Sequence, residues 1–326
     1  MTTQTKRPTQ PETDLTLCLL CRHKTGKQIR TGIRGDPTVP VYRCKRCLLQ
    51  YIDPSLIGDV HEYYQGEYRE KHDVTVGERM TSEERFKMMR VSMEEPANHF
   101  EDEIPKGGSV LEVGCSSGYF MDTLAQRGYT MYGAEWNPED AAYVRDVGGY
   151  PCEEGTLDDI YPGKTFNAVV AMAVLEHQPD PIAFLRQLKL KLIGGGWLFL
   201  TVPNAADALL TAYGIPEYKD FWYRKPHITY WEVETLSAAL GALGFEAKVS
   251  TRQRYSLANH LNWKMHGTPM KNYREATSYL KPIDTQHPVA GVLNRLTMML
   301  DKQYRVQLET LKCSDTIVAW ARRREI

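Results

Sequence analysis

From Ser109 onward, short runs of consecutive apolar residues alternate with longer stretches in which apolar positions recur every three or four places. Runs near 109–113, 130–135, 166–172 and 197–203 have strand length and end in glycine, proline or polar residues. Helical patterns separate them, the clearest beginning at Asp180-Pro181, an N-cap followed by proline at the first helical position. This βαβ alternation predicts a mostly parallel sheet covered by helices on both faces. Trp231 to Leu243 then predicts a helix that leads through Gly244 into a strand at Phe245 to Arg252.

The flanks follow different patterns. Residues 1–14 are polar, with Pro8 and Pro11, and are expected to be a disordered tail. A cysteine-bearing segment, 15–58, precedes a helical entry segment, 59–105, in which Phe86, Met89 and Met93 recur at helical spacing. After a core at 106–254, residues 255–311 form an excursion too long for a loop. Its helical Val292 to Leu311 predicts a lid or an oligomer contact, ahead of the closing segment 312–326.

The first apolar run carries chemistry. Val110 to Phe120 reads VLEVGCSSGYF, a strand that ends in Glu112 and turns through Gly114 and Gly118 into a helix. A dinucleotide loop needs glycine at its first, third and sixth places to close on a pyrophosphate. Counted from Gly114, the third and sixth places hold Ser116 and Tyr119. A carboxylate at the strand end would repel pyrophosphate but attract the ammonium and sulfonium charges of S-adenosylmethionine (SAM). About 20 residues further on, the spacing at which a second acid reaches ribose hydroxyls, stand Glu135 and Trp136.

Together with FNAVVAMAVLEHQPDP at Phe166 to Pro181 and GGGWLFLTVPN at Gly194 to Asn204, these motifs resemble the class I SAM-dependent methyltransferases, in the branch with a VLEHxxDP signature. The resemblance covers roughly Ser109 to Arg252 and implies a Rossmann-like, doubly wound sheet of seven strands, the last antiparallel and placed beside the sixth. It further implies that Gly114, Cys115, Ser116, Gly118 and Tyr119 cradle SAM, that Glu112 acts on its ammonium group, and that Glu135 accepts the ribose hydroxyls. Trp136 would cover the adenine, the backbone of Thr156 and Leu157 would read its edge, Ala173 would line the site, and Tyr64 and Tyr68 would lie over the cofactor. An acceptor hydroxyl needs a base with a pKa near neutrality. His177, beside Glu176, and His227 in Lys-Pro-His-Ile-Thr-Tyr are the candidates, with Tyr230 as the alternative.

Four of the seven cysteines form two C-x2-C pairs, Cys18/Cys21 and Cys44/Cys47. Two such knuckles suit one structural zinc ion with all four positions filled. Arg22 and Leu48 stand where a glycine often follows each knuckle. Cys152 and Cys313 read as packing residues.

The net charge of −1 argues against nucleic acid as a partner, and no apolar run approaches the ~20 residues that span a bilayer. With no apolar segment in MTTQTKRPTQPETDL, a cytoplasmic protein is expected. The favoured acceptor is a small polar molecule, a sugar, glycan or natural product, methylated on oxygen. The quinone-precursor O-methyltransferases carry an acid where this chain has Ala173, which counts against a metal-assisted mechanism. The rival readings are a sugar C-methyltransferase, an RNA methyltransferase that uses the zinc module to hold RNA, and a SAM-binding interaction protein without catalysis.

Overall fold

The computed structural model describes residues 16–58, 80–281 and 286–325. The expected N-terminal tail, 1–14, therefore lies outside the described residues, as does 59–79 of the expected entry segment. That segment forms β1 (Thr16–Leu17), a long hairpin of β2 (Lys24–Ile33) and β3 (Asp36–Cys44), and β4 (Gln50–Tyr51). Two helices follow, α1 (Ser82–Arg90) and α2 (Glu94–Glu103). A capping box starts the first: Thr81 Oγ1 accepts from the Glu84 amide at 3.2 Å, and Glu84 Oε2 accepts from the Thr81 amide at 2.8 Å.

The core then alternates as its apolar pattern requires: β5 (Ser109–Val113), α3 (Tyr119–Ala125), β6 (Thr130–Ala134), α4 (Pro138–Asp146), β7 (Cys152–Glu153), β8 (Phe166–Met172), α5 (Pro181–Leu190) and β9 (Leu192–Pro203). Asn137 and Asp180 cap α4 and α5, each followed by proline at the first helical turn. After α6 (Pro216–Trp222) come β10 (Thr229–Tyr230), α7 (Val233–Ala242) and β11 (Phe245–Arg252). The excursion is helical as expected, with α8 (Leu257–His266), α9 (Tyr273–Thr277) and the long α10 (Ala290–Thr310). The chain closes with β12 (Thr316–Arg323).

The main sheet has the order β11-β12-β9-β8-β5-β6-β7, and β12 is antiparallel to both neighbours. Its period of two sends Leu111 and Val169 into one apolar cluster and Val110, Ala168 and Val170 into the cluster on the opposite face. β5 and β8 are adjacent, and the chain departs from them in opposite directions along the sheet. Ligands of open α/β sheets bind beyond the carboxyl ends of the strands at such a switch point.

The cysteine segment is built into this core. Cys18, Cys44, Leu49 and Tyr51 belong to the cluster that holds Leu111, and β10 adds to β4 as the fifth strand of the N-terminal sheet, Thr229 opposite Tyr51. Ion pairs of Arg30 with Asp220 at 2.8 Å, Arg43 with Glu232 at 2.9 Å, and Arg22 with Asp180 tie the two parts together.

Candidate active site

β5 delivers the glycine loop. Gly114 and Gly118 have φ of 70° and 76°, conformations that glycine adopts without strain. A Cβ on Gly114 would stand 2.7 Å from Val174 Cγ2, and one on Gly118 3.0 Å from Val144 Cγ2. The side chains between them serve the loop from within. Cys115 is buried with its sulfur 3.7 Å from that of Cys152, and Tyr119 packs against the second apolar cluster.

Glu135, just past β6, locks this loop to the next one. Its Oε2 accepts from the Ser116 amide at 2.7 Å and its Oε1 from the Asn137 amide at 2.8 Å. Burial outweighs these bonds and pushes its carboxyl up to about 7. Glu112 is 1% exposed, and its Oε2 has no hydrogen-bond partner among the described residues. Burial, and then the Glu135 carboxylate, hold it well above the usual carboxylate range. Two neighbouring buried acids, one with an unpaired oxygen, form an environment that a cation would stabilise.

A cavity of about 360 Å³ opens at the ends of β5, β6 and β8. Of the residues expected at the cofactor, Gly114, Glu135, Trp136, Thr156, Leu157 and Ala173 line it, and so does His177. The Trp136 ring N–H donates to the Gly155 carbonyl at 2.9 Å, which fixes the indole against the wall. Ala173 takes a φ of 54° as it turns out of β8. Glu112, Cys115, Ser116, Gly118 and Tyr119 do not line it: the Glu112 and Cys115 side chains are buried, Ser116 gives its amide to Glu135, and Tyr119 packs on the second apolar cluster. Tyr64 and Tyr68 lie outside the described residues. Sequence reasoning missed Asp158, Gln178, Phe184 and Gln187 on the wall; Gln187 Nε2 donates to Asp158 Oδ2 at 2.6 Å and joins α5 to the loop after β7. For Phe184 and Gln187 the sequence signal was the Asp180-Pro181 helix start, since both stand on α5.

Behind His177 lies a second buried cluster. Glu176, His177 and His227 are all under 10% exposed, and their ligand atoms lie within 4.8 Å of one another. The two imidazoles are 4.9 Å apart. His177 Nδ1 faces the Pro226 carbonyl at 3.2 Å, which can only accept, the Ala173 backbone also bonds the ring, and Nε2 lies 3.8 Å from Glu176 Oε1. Arg224 lies 3.2 and 3.3 Å from His227 Nε2, and a guanidinium can only donate, so that nitrogen is an acceptor. Burial raises Glu176 to about 8 and lowers His177 to about 3. Three such groups could hold a divalent ion by spacing, but the Arg224 guanidinium already occupies His227 Nε2 and would repel a cation beside it. The donor set therefore fits a metal poorly. Tyr230 borders the pair, its ring 6.1 Å from that of His227, but its hydroxyl meets the Arg224 backbone, its ring packs with Trp222 and Tyr223, and burial raises its phenol.

The four cysteines meet as the knuckle spacing predicts. Cys18 and Cys47 sulfurs are 3.5 Å apart, Cys21 and Cys44 3.6 Å, and all four lie within 4.8 Å of one another. Sulfurs 2.3 Å from a tetrahedral centre would be about 3.8 Å apart, so the group fits one zinc ion. Arg22 and Leu48, in the places of the absent glycines, have φ of 56° and 66°.

A seven-stranded sheet of this order, with an acid in the first core strand, a glycine loop after it and a second acid just past β6, defines a class I SAM-dependent methyltransferase. The profile of a family described as a methyltransferase domain matches residues 86–249, half of the chain, and the chain belongs to that family. Among relatives, the tRNA U34 carboxymethyltransferase of Alteromonas mediterranea is 27% identical over 211 residues, covering 57% of this chain and 58% of its own length. A ubiquinone biosynthesis O-methyltransferase of Xanthomonas axonopodis is 32% identical over 140 residues, covering 36% and 57%. The chain thus spans less than two thirds of the length of either relative. A methyltransferase of Haloferax volcanii, solved in complex with the Trm112 methyltransferase activator, has the same fold, with a TM-score of 0.50 and 16% identity over 79% of this chain and 98% of its own. One relative is named for a tRNA reaction, so the comparisons lend no support to excluding nucleic acid as a partner. Among the described residues no helix is long and apolar enough to cross a membrane.

Proposed function

We propose that this methyltransferase acts on a hydroxyl of a small polar acceptor, a sugar, glycan or natural product, with the histidine pair receiving the proton. The observation that carries this reading is the adjacency of His177, on the wall of the cofactor cavity, to His227 and Glu176. SAM, when bound, supplies the methyl group from its sulfonium: the carbon–sulfur bond breaks as the carbon–oxygen bond forms, and the hydroxyl proton passes to an imidazole. His227 is the preferred base. An incoming hydroxyl can take the place of Arg224 at Nε2, and the guanidinium beside it lowers the cost of charge developing on oxygen. His177 orients the pair from the cofactor side, held by the Pro226 carbonyl.

Glu135 is the residue for the ribose end of SAM, and Glu112, buried behind the wall, acts on the ammonium end through water or through the field of its carboxylate. A carboxylate has about four lone-pair positions, so Glu135 can keep its two amide bonds and still accept ribose hydroxyls. Arg224 and Arg254, both charged neighbours of Glu176, give the acceptor side a polar, cationic rim suited to a sugar or an anionic derivative rather than an apolar quinone precursor. The four cysteines hold one structural zinc ion.

The test is single-turnover methyl transfer from labelled SAM to a panel of sugars, sugar nucleotides and glycans. His227→Ala should slow transfer by roughly 10²- to 10⁴-fold with SAM affinity nearly unchanged. Near wild-type transfer in the His177/His227 double variant would contradict the assignment. A second reading, an RNA acceptor, is favoured by residues 16–58, where eight Arg and Lys stand against two Asp, and by the relative named for tRNA. It predicts tRNA binding that weakens steeply with salt.

A further inference from the structure

The 21-residue helix α10 has two unlike faces. Its inner face is fastened to the chain: Ala290, Asp301 and Leu308 are buried, Asp301 accepts from the Leu257 amide at 2.7 Å, and Arg305 reaches the Arg254 and Thr277 carbonyls. Its outer face carries Val289, Val292, Leu296, Met299 and Val306, with Gln303 in the same row. The intervals are three, four, three, four and three, the repeat that keeps one stripe of a helix facing a partner helix. Leu293 and Leu300, seven residues apart, flank the stripe. These side chains are open in the monomer: Val292 is 57% exposed, Leu296 46% and Met299 60%.

Scattered exposed leucines need no explanation, but a continuous stripe does. Seven apolar side chains, Val289, Val292, Leu293, Leu296, Met299, Leu300 and Val306, each between 42% and 60% exposed, make up this face, a contiguous patch of the kind that forms the apolar centre of a standard interface of about 800 Å² per partner. We propose that α10 is a dimerisation helix and that its partner is the same helix of a second copy of this chain. The shape of the stripe selects this occupant. It is one helix wide, it runs along the outer face for most of the helix, and a twofold axis would bring an identical row against it, as closed symmetric pairs do. Gln303, polar within an apolar seam, both donates and accepts through its amide, so its counterpart in the second copy satisfies it and fixes the register. The rim of the surrounding polar side chains completes the area a stable pair needs.

Sedimentation equilibrium of the full chain at tens of micromolar tests this. The wild type should have twice the single-chain mass of 37.3 kDa. Leu296→Glu combined with Met299→Glu, both outward-facing, should return the single-chain mass with unchanged far-UV circular dichroism, and Val292→Lys should weaken the dimer independently. A wild type that stays at the single-chain mass, as it would if another segment of its own chain covered the stripe, would overturn the proposal. So would a dimer that persists in all three substitutions.

Discussion

The imidazole rings of His177 and His227 stand 4.9 Å apart at an angle of 64°, although they arrive on elements far apart in the sequence. The backbone sets their spacing. The Ile228 amide donates to the Glu176 carbonyl at 2.8 Å, and His177 Nδ1 meets the Pro226 carbonyl. One residue beyond Ile228, β10 pairs with β4 of the cysteine segment, and the Ile52 amide donates to the Ile228 carbonyl at 2.9 Å. The histidine pair is therefore held between the sheet ends and the four-cysteine segment.

Metal removal should consequently reach the reaction. Metal binding to two distant knuckles is coupled to local folding. Chelation should release about one zinc per chain, loosen β4 and β10, and lower methyl transfer, with a smaller effect on SAM affinity because the cavity lies at β5, β6 and β8. Metal analysis paired with activity checks this. Loss of zinc with unchanged transfer would break the link, and no zinc together with four freely reactive thiols would remove the metal site.

The buried acids set a pH dependence. Glu135 and Glu176 titrate near 7 and 8 in the fold, raised from 4.5 chiefly by burial. A raised folded pKa means stability present below the unfolded value and lost as pH rises through the folded one. Denaturant unfolding of the ligand-free protein should show lower stability at pH 9 than at pH 6, by on the order of a few kcal/mol. Cationic SAM should draw Glu112 toward its carboxylate. Calorimetry at pH 6 to 7 in buffers of different ionisation heat should then detect net proton release on binding.

Leu48 follows the second knuckle at φ 66° with its side chain 42% exposed. An L residue in the left-handed region costs roughly 1–2 kcal/mol. Leu48→Gly should stabilise the zinc-loaded protein by about 1 kcal/mol, once the greater freedom of glycine in the unfolded chain is allowed for. Thermal unfolding of the two proteins side by side gives the sign.

Gly114 sits under the opposite constraint. Gly114→Ala would place a methyl 2.7 Å from Val174 Cγ2 at a positive φ, so the loop must shift where the cavity is lined by its backbone. SAM affinity should fall at least tenfold in equilibrium titration, with the far-UV spectrum retained.

What was legible in the sequence was local. The strand–loop–helix at Glu112 to Tyr119 and the acid at Glu135 are each contiguous, and the period of their apolar residues determines which side of the sheet they meet. The cap at Asp180 and the antiparallel strand near Thr316 were legible for the same reason, through turn chemistry and family order. What was hidden depends on non-local pairing. A two-residue strand such as β10 leaves no periodic trace, so its addition to the N-terminal sheet could not be read from Thr229 and Tyr230. The expectation that an imidazole here titrates near neutrality also needed burial to correct it: His177, buried on the cavity wall, is pushed down to about 3 and is neutral at neutral pH. Phe184 and Gln187 reach the cavity because α5 lies across the opening, a matter of helix packing that their own letters do not carry.

The proposed reaction rests on one nucleoside held between the glycine loop and the acid after β6. Isothermal titration of SAM into the wild type and Glu135→Ala tests it most directly, with Glu135→Gln to separate the charge from the loop contact to Ser116. The account predicts binding to the wild type and a loss of about 1.5 to 3 kcal/mol in Glu135→Ala, the range for hydrogen bonds to a charged group. Equal SAM affinity in both proteins, or no heat with SAM while NAD binds, would contradict it.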